Sequence, residues 1–355
     1  MKAYLLTIIS MIMSLCQILS PVWASIGGQA RFFENWSETQ QFTEDYAVEL
    51  EKDPDSDFKI LNLTDIQLNS FQGYDEKGQI AKKTIDKLVN DVQPDLITVT
   101  GDNAWATDTY IKFVNDIDSY GIPWAPVMGN HDGQGCISEF WCAYEMYKKD
   151  NCLFKFGPKD MGYGNYIINI TESGNIIHTL FMMDTHSGVE EDNINGTKGS
   201  GYDHLWQNQF DWYKWAVNGI STIAGHTVES TVFFHIPVYE YKLAWNDAYD
   251  TENNCFKEAY KDTSFGVNHE DVCCASQNNG FFRLCKDLGS TKNMVCGHDH
   301  INSSSIPYNG IRLTYGLKCG AGCYWEDEMS GGTLITVNSK GNAEIQHIFV
   351  DPKTL

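Results

Sequence analysis

Between residues 57 and 132 the sequence alternates between short apolar runs and longer amphipathic segments, which limits the fold more than any other feature of the chain. Phe58-Lys59-Ile60-Leu61-Asn62-Leu63 has the length and character of a strand. Ile80, Thr84, Ile85, Leu88, Val89 and Val92 then recur at helical spacing, and Pro94 closes that segment. Residues 96–99 form a second apolar run, a further helix is expected over about 107–120, and residues 124–128 form a third strand. Strand, helix, strand, helix, strand is the pattern of a parallel sheet with helical crossovers. In such sheets ligands bind beyond the carboxyl ends of the strands. Each of the three strands ends in a polar cluster: Thr64-Asp65-Ile66-Gln67, Thr100-Gly101-Asp102-Asn103 and Gly129-Asn130-His131-Asp132.

Two later runs end the same way. Thr231-Val232-Phe233-Phe234 delivers His235-Ile236-Pro237, and the run 293–296, stopped by Gly297, delivers His298-Asp299-His300. Residues i and i+2 share a side in an extended or turning backbone, so His298 and His300 can enter one pocket. Taken singly, each cluster has an ordinary structural reading. Asp or Asn after a strand is turn chemistry, a His-rich turn can simply face water, and His235 fits a hydrogen-bonded core imidazole. Taken together they describe a metal site. Two carboxylates, a carboxamide and three imidazoles suit a pair of divalent first-row cations such as Mn, Fe or Zn. In a two-metal hydrolytic site a shared carboxylate holds the ions about 3.5–4 Å apart.

The combination Asp65-x-Gln67, Gly101-Asp102, Gly129-Asn130-His131-Asp132, His235 and Gly297-His298-Asp299-His300 resembles the calcineurin-like metallophosphoesterase superfamily, over about residues 57–350. Phe-Phe-His-Ile-Pro at 233–237 and Gly-His-Asp-His at 297–300 are similar to its small purple-acid-phosphatase-like branch. The resemblance implies an α/β fold, a two-sheet mixed β-sandwich flanked by helices in four layers, α/β/β/α. It implies that Asp102 bridges two metals, that Asp65 and His300 hold the first, and that Asn130, His235 and His298 hold the second. His131 would stay off the metals and protonate the leaving group after in-line attack of a metal-bound hydroxide on phosphorus. The implied substrate is a small phosphate monoester, with a phosphodiester (nucleotide or lipid head group) as the alternative and a non-catalytic binding protein as a third reading.

Two departures stand out. Gln67 occupies a position where the family usually has His; its carboxamide oxygen is expected to coordinate as a weaker, harder donor, leaving the first site filled but labile. Trp105 stands where purple enzymes carry an iron-binding tyrosine, so no purple colour is expected.

The remaining sequence sets the context. A net charge of −22 excludes a phosphate-backbone binder of the usual basic kind. Residues 1–24 read as a signal peptide: Lys2, an apolar stretch over 5–19, then Pro21 and Val22-Trp23-Ala24 before Ser25. The stretch is short for a bilayer span and lacks basic flanks, which favours cleavage over an uncleaved anchor. The protein is therefore expected to be secreted or lumenal (periplasmic in a bacterium), with no membrane span after cleavage. Ten cysteines follow the signal, and disulfides are expected among them, with Cys296 read as a buried free thiol. Sequons at Asn35, Asn62, Asn169, Asn195 and Asn302 suggest a glycoprotein, with Asn62 unmodified because it lies inside a strand.

Along the chain, residues 25–56 read as a polar extension wrapping the domain formed by 57–355. Residues 136–152 read as a helix-rich insertion, and 163–170 with 175–183 as a hairpin. A helix over 205–220 carries Trp206, Trp212 and Trp215 as sheet-covering residues. Residues 239–272 read as a long polar loop, and 311–315, 333–337 and 343–349 as strands of a second sheet.

Overall fold

In the computed structural model, which describes residues 28–68, 75–134, 137–192 and 198–355, the expected alternation forms three strands of a five-stranded sheet. β1 (Ala47–Glu51) precedes it, and β2 (Phe58–Leu63), α1 (Glu76–Val92), β3 (Leu96–Thr100), α2 (Thr107–Asp118) and β4 (Trp124–Val127) follow in turn. β2, β3 and β4 are parallel, with Leu61 opposite Ile97 and Val99 opposite Pro126. Local signals set the helix limits. Asp75 caps α1 by accepting the Gly78 N–H at 2.8 Å, and Gln93 ends it in the left-handed conformation.

After α3 (Glu139–Tyr147) come β5 (Tyr166–Glu172) and β6 (Asn175–Met182), the expected hairpin. The small hairpin β7 (Gly188–Asp192) and β8 (Lys198–Tyr202) leads to α4 (Gln207–Ala224), β9 (Ser230–Phe233) and α5 (Glu240–Ala248). Then follow β10 (Tyr249–Asp250), β11 (Cys255–Phe256), α6 (Phe281–Leu288), β12 (Thr291–Cys296), β13 (Ser305–Tyr308) and β14 (Ile311–Tyr315). β15 (Gly331–Val337) and β16 (Ala343–Phe349) return to the first sheet, whose order is β16-β15-β2-β3-β4. The second sheet has seven strands in the order β1-β5-β6-β9-β12-β14-β13, with β6, β9, β12 and β14 parallel.

Period-two alternation assigns each face of the second sheet. Leu180 and Met182 of β6, Phe233 of β9 and Val295 of β12 enter the core shared with the five-stranded sheet. Phe181, Val232, Met294 and Cys296 point the other way, onto α4 and α6, where they meet Trp212, Tyr213 and Phe281. Residues of α1, α2 and α3 cover the first sheet, completing the expected α/β/β/α sandwich. The carboxyl ends of β2, β3, β9 and β12 meet at one rim: Asp65 N–H bonds Gly101 O at 3.1 Å, and Gly297 N–H bonds His235 O at 3.2 Å.

Four expectations differ from what is found. Residues 239–272 are not all loop: Tyr241, Ala244 and Ala248 bury one face of α5, a stripe obscured by the polar residues between them. Residues 311–315 belong with β12 in the seven-stranded sheet, whereas β15 and β16 complete the other. Residues 47–51 are an edge strand paired with β5. None of the nine described cysteines is bonded to another. Four are buried thiols in separate surroundings: Cys142 Sγ faces Asp132 O, Cys319 Sγ faces Thr64 O, and Cys285 and Cys296 lie among the residues under α4–α6. The signal segment, Cys136 and Asn195 lie outside the described residues. Asn62, Asn169 and Asn302 are buried, while Asn35 is exposed. No described helix is long and apolar enough to cross a membrane.

Candidate metal centre

The strand ends turn sharply to bring their side chains together. Asp65, Gln67, Asp102 and His298 all have left-handed backbones, with φ of 51°, 49°, 55° and 80°. For non-glycine residues this is uncommon and costs energy, and it clusters at functional sites. Gly101 lets two strand ends touch, because a Cβ there would lie 2.7 Å from the Gly129 backbone and from His235 Nδ1. Gly297 does the same, since a Cβ would fall 2.0 Å from Thr64 Oγ1.

Asp65, Asp102 and His235 each place a ligand atom within 4.8 Å of the others, and all three are buried. His235 Nε2 lies 3.4 Å from Asp102 Oδ1, 3.0 Å from Asn130 Oδ1 and 3.3 Å from His298 Nδ1. His300 Nε2 lies 3.6 Å from Asp65 Oδ1. His235 Nδ1 donates to Thr100 O at 2.7 Å, which turns its Nε2 lone pair into the cluster. Asp65 Oδ1, His298 Nε2 and His300 Nδ1 are buried with no hydrogen-bond partner. Of these, Asp65 Oδ1 is the atom that faces the cluster, 3.6 Å from His300 Nε2, whereas the unpartnered ring atoms of His298 and His300 are not those that meet His235 and Asp65; a buried carboxylate oxygen without a donor is a place a cation satisfies.

Charge supports the same reading. Burial works against a charged Asp102, but the His235 imidazole prevails and holds its carboxyl well below the usual range. Burial would lower His235, yet the Asp102 carboxylate lifts it to about 10, so this spot favours positive charge. Burial, then His235, pushes His298 down to about 3; burial, then Lys318, pushes His300 down to about 4. Both are neutral imidazoles, as ligation requires.

Gln67 departs from the expectation. It lies in the cluster, but its Oε1 accepts from Lys318 Nζ at 2.7 Å, and the same Nζ donates to Asp65 O at 2.8 Å. A lysine ammonium has donors only, so the amide orientation is fixed. The Gln67 NH2 therefore faces inward, 3.2 Å from Asp102 Oδ2 and 3.0 Å from His300 Nε2. The Gln67 oxygen thus faces Lys318 and not the cluster, and turning the amide would break a charge-assisted hydrogen bond worth about 1.5–3 kcal/mol and set N–H groups against a buried ammonium. Burial also lowers the Lys318 pKa, opposed by Asp65. The sequence reading missed Lys318, although it follows β14 directly, in the kind of strand-end position that marks the other clusters.

His131 stands at the rim, with Nε2 3.9 Å from Asp102 Oδ2 and Nδ1 2.6 Å from Gln134 Oε1. Its ring meets Trp105 edge to face at 5.3 Å between centroids. Tyr202 packs on His298 at 4.4 Å and Tyr324 on His300 at 4.2 Å, two contacts with no sequence signal. Asp132 accepts backbone N–H groups from Gly129, Asp102 and Asn103, and Asp299 accepts from Tyr315 Oη at 2.6 Å. His186 stacks on Trp206, and His204 Nδ1 bonds Leu205 O, so both have structural partners outside the cluster.

The chain is similar in sequence to proteins named as phosphatases. It is 28% identical over 266 residues to "Probable inactive purple acid phosphatase 14" of Arabidopsis thaliana, covering 66% of this chain and 61% of that protein. It is 29% identical over 319 residues to "Phosphatase DCR2" of Saccharomyces cerevisiae, covering 81% of this chain and 52% of the yeast protein. The chain thus spans about half to six-tenths of the length of these relatives. Among solved structures, a dimetal phosphatase from Danio rerio aligns with a TM-score of 0.46 at 11% identity, over 83% of this chain and 99% of its own. The family model for calcineurin-like phosphoesterases matches residues 58–302, from the first strand of the five-stranded sheet to just past the paired imidazoles, and the chain belongs to that family.

Proposed function

We propose that this protein is an exported, metal-dependent hydrolase of phosphate monoesters. The observation that carries the reading is the convergence of Asp65, Asp102, Asn130, His235, His298 and His300 at one rim, where Asp65 Oδ1 is buried without a protein donor. The metal would be held by ligands drawn from this group. A bound divalent cation supplies Lewis acidity, drawing charge from the phosphoryl oxygens and making a nearby water more acidic.

The chain's own groups do the rest. His235 keeps its Nε2 lone pair turned inward through the bond from Nδ1 to Thr100 O. His131, half exposed at the rim, gives a proton to the departing oxygen as the phosphorus–oxygen bond breaks. Gln134 Oε1 accepts from Nδ1 and so orients the ring; in the imidazolium form Nε2–H is the proton given up. The export part of the proposal rests on Lys2 and the apolar stretch over 5–19.

A second reading, a cation-binding protein without turnover, is favoured by one observation: the Lys318–Gln67 hydrogen bond inside the cluster. One experiment separates the readings. Purified protein is assayed with 4-nitrophenyl phosphate and bis(4-nitrophenyl) phosphate after loading with Mn, Fe(II) or Zn. Faster hydrolysis of the monoester supports the proposal, faster hydrolysis of the diester redirects it to a phosphodiesterase, and no hydrolysis with any metal supports the binding protein.

A further inference from the structure

The number of ions the centre takes can be read from Gln67 and Lys318; the inference rests on the metal reading above. A paired centre would draw its first ion to Asp65, Asp102, His300 and residue 67. In this chain the Gln67 NH2 lies 3.2 Å from Asp102 Oδ2 and 3.0 Å from His300 Nε2, so two of those donors already face N–H groups. The Gln67 oxygen is held by Lys318 Nζ at 2.7 Å. Rotating the amide would put NH2 against an ammonium and strip a buried charge of one of its two acceptors, Asp65 O being the other. A cation at the first position would also meet repulsion from the Lys318 ammonium, held beside it by Asp65 O and Gln67 Oε1.

The remaining donors suffice for one ion. Asp102, Asn130 and His298 surround His235 Nε2 at 3.0–3.4 Å, and the Asp65 ligand atom lies within 4.8 Å of those of Asp102 and His235. Asp65 Oδ2 is already engaged, accepting from Thr64 Oγ1 at 2.8 Å and from His298 N–H at 3.0 Å.

We propose that Lys318 and Gln67 together close the first metal position, so that the centre binds a single divalent cation, at the position lined by Asp102, Asn130, His235 and His298. The lysine stands in for the charge of the missing ion, and the glutamine fixes it there.

The test is the metal content of the purified full chain after dialysis against manganese(II), with the electron paramagnetic resonance spectrum of the bound ion. One ion per chain with the spectrum of an isolated ion is expected. That ion is retained in His300→Ala and lost in His235→Ala. The double substitution Gln67→His with Lys318→Met raises the content to two and gives an exchange-coupled spectrum. Two coupled ions in the unaltered protein would overturn the inference and leave the metal reading standing; no ion at all would overturn both. Loss in His300→Ala with retention in His235→Ala would overturn it by placing the ion at the first position. A double variant with the native circular dichroism spectrum that still holds one ion would overturn the part assigned to Lys318. The deciding comparison uses the unaltered chain and does not depend on a variant folding.

Discussion

The carboxylate of Asp132 accepts the backbone N–H of Asp102 at 3.0 Å, tying the turn after β4 to the turn after β3. It also accepts from Gly129 N–H at 2.8 Å, Asn103 N–H at 2.8 Å and Asn103 Nδ2 at 3.1 Å. One buried side chain thus fixes the backbone that presents Asp102, Asn130 and His131. Asp132→Ala leaves several buried donors without partners, and each costs about 1–3 kcal/mol. A loss of roughly 3 kcal/mol or more is expected in urea unfolding, with weaker metal retention. An unchanged midpoint would show that the turns hold without it.

In the role proposed for it, His131 acts late, on the leaving group, and its loss should not affect metal content. His131→Ala is expected to slow hydrolysis of an alkyl phosphate by about 10²–10⁴-fold, because an alkoxide needs the proton. The loss on 4-nitrophenyl phosphate should be much smaller, since that phenolate leaves unaided. Equal losses on both esters, in steady-state kinetics with metal content measured alongside, would remove His131 from the acid role.

Gly101 sits at φ 86°, where its hydrogen faces the Gly129 backbone and His235 Nδ1. Gly101→Ala would add both left-handed strain and a backbone clash. Loss of about 2 kcal/mol or more of stability and reduced metal binding are expected from unfolding curves and metal analysis. A variant matching the unaltered protein in both would mean that the strand ends have more room than the structure shows.

His178 is buried far from the cluster, with Nδ1 bonded to Gly341 O at 2.7 Å and Nε2 to Thr231 Oγ1 at 3.0 Å. Burial lowers its pKa from 6.5 to about 4. Between those values the unfolded chain takes up a proton that the folded one does not, so stability falls as pH drops from about 6.5 to about 4. The contribution is of order 3 kcal/mol at most. His178→Gln should flatten the dependence of urea stability on pH in that window. A slope unchanged by the substitution would assign it to other groups.

The sequence made the strand–helix alternation legible because its periodicity is strong and its crossovers are short. It also made Asp65, Asp102, Asn130, His235, His298 and His300 legible, because each follows an apolar run directly. What it hid depends on contacts between distant segments. Lys318 meets Gln67 across 251 positions of chain, and nothing local marks a lysine as a partner for an amide. Gln67 itself was read by its atom types, which include an oxygen donor, whereas the structure turns the nitrogen inward. The face of α5 is hidden in the sequence because Lys242, Asn246 and Asp247 interleave its buried residues, one of which, Glu240, is itself charged.

The account rests on a cation bound at the strand ends making the chain a phosphate-ester hydrolase, and chelation followed by reconstitution tests this most directly. Activity on 4-nitrophenyl phosphate is measured before chelation, after it, and after adding back manganese or zinc, in the unaltered protein and in Asp102→Ala. Activity is expected to disappear on chelation and to return with metal in the unaltered protein alone. Activity that survives complete metal removal, or that persists in Asp102→Ala, would contradict it.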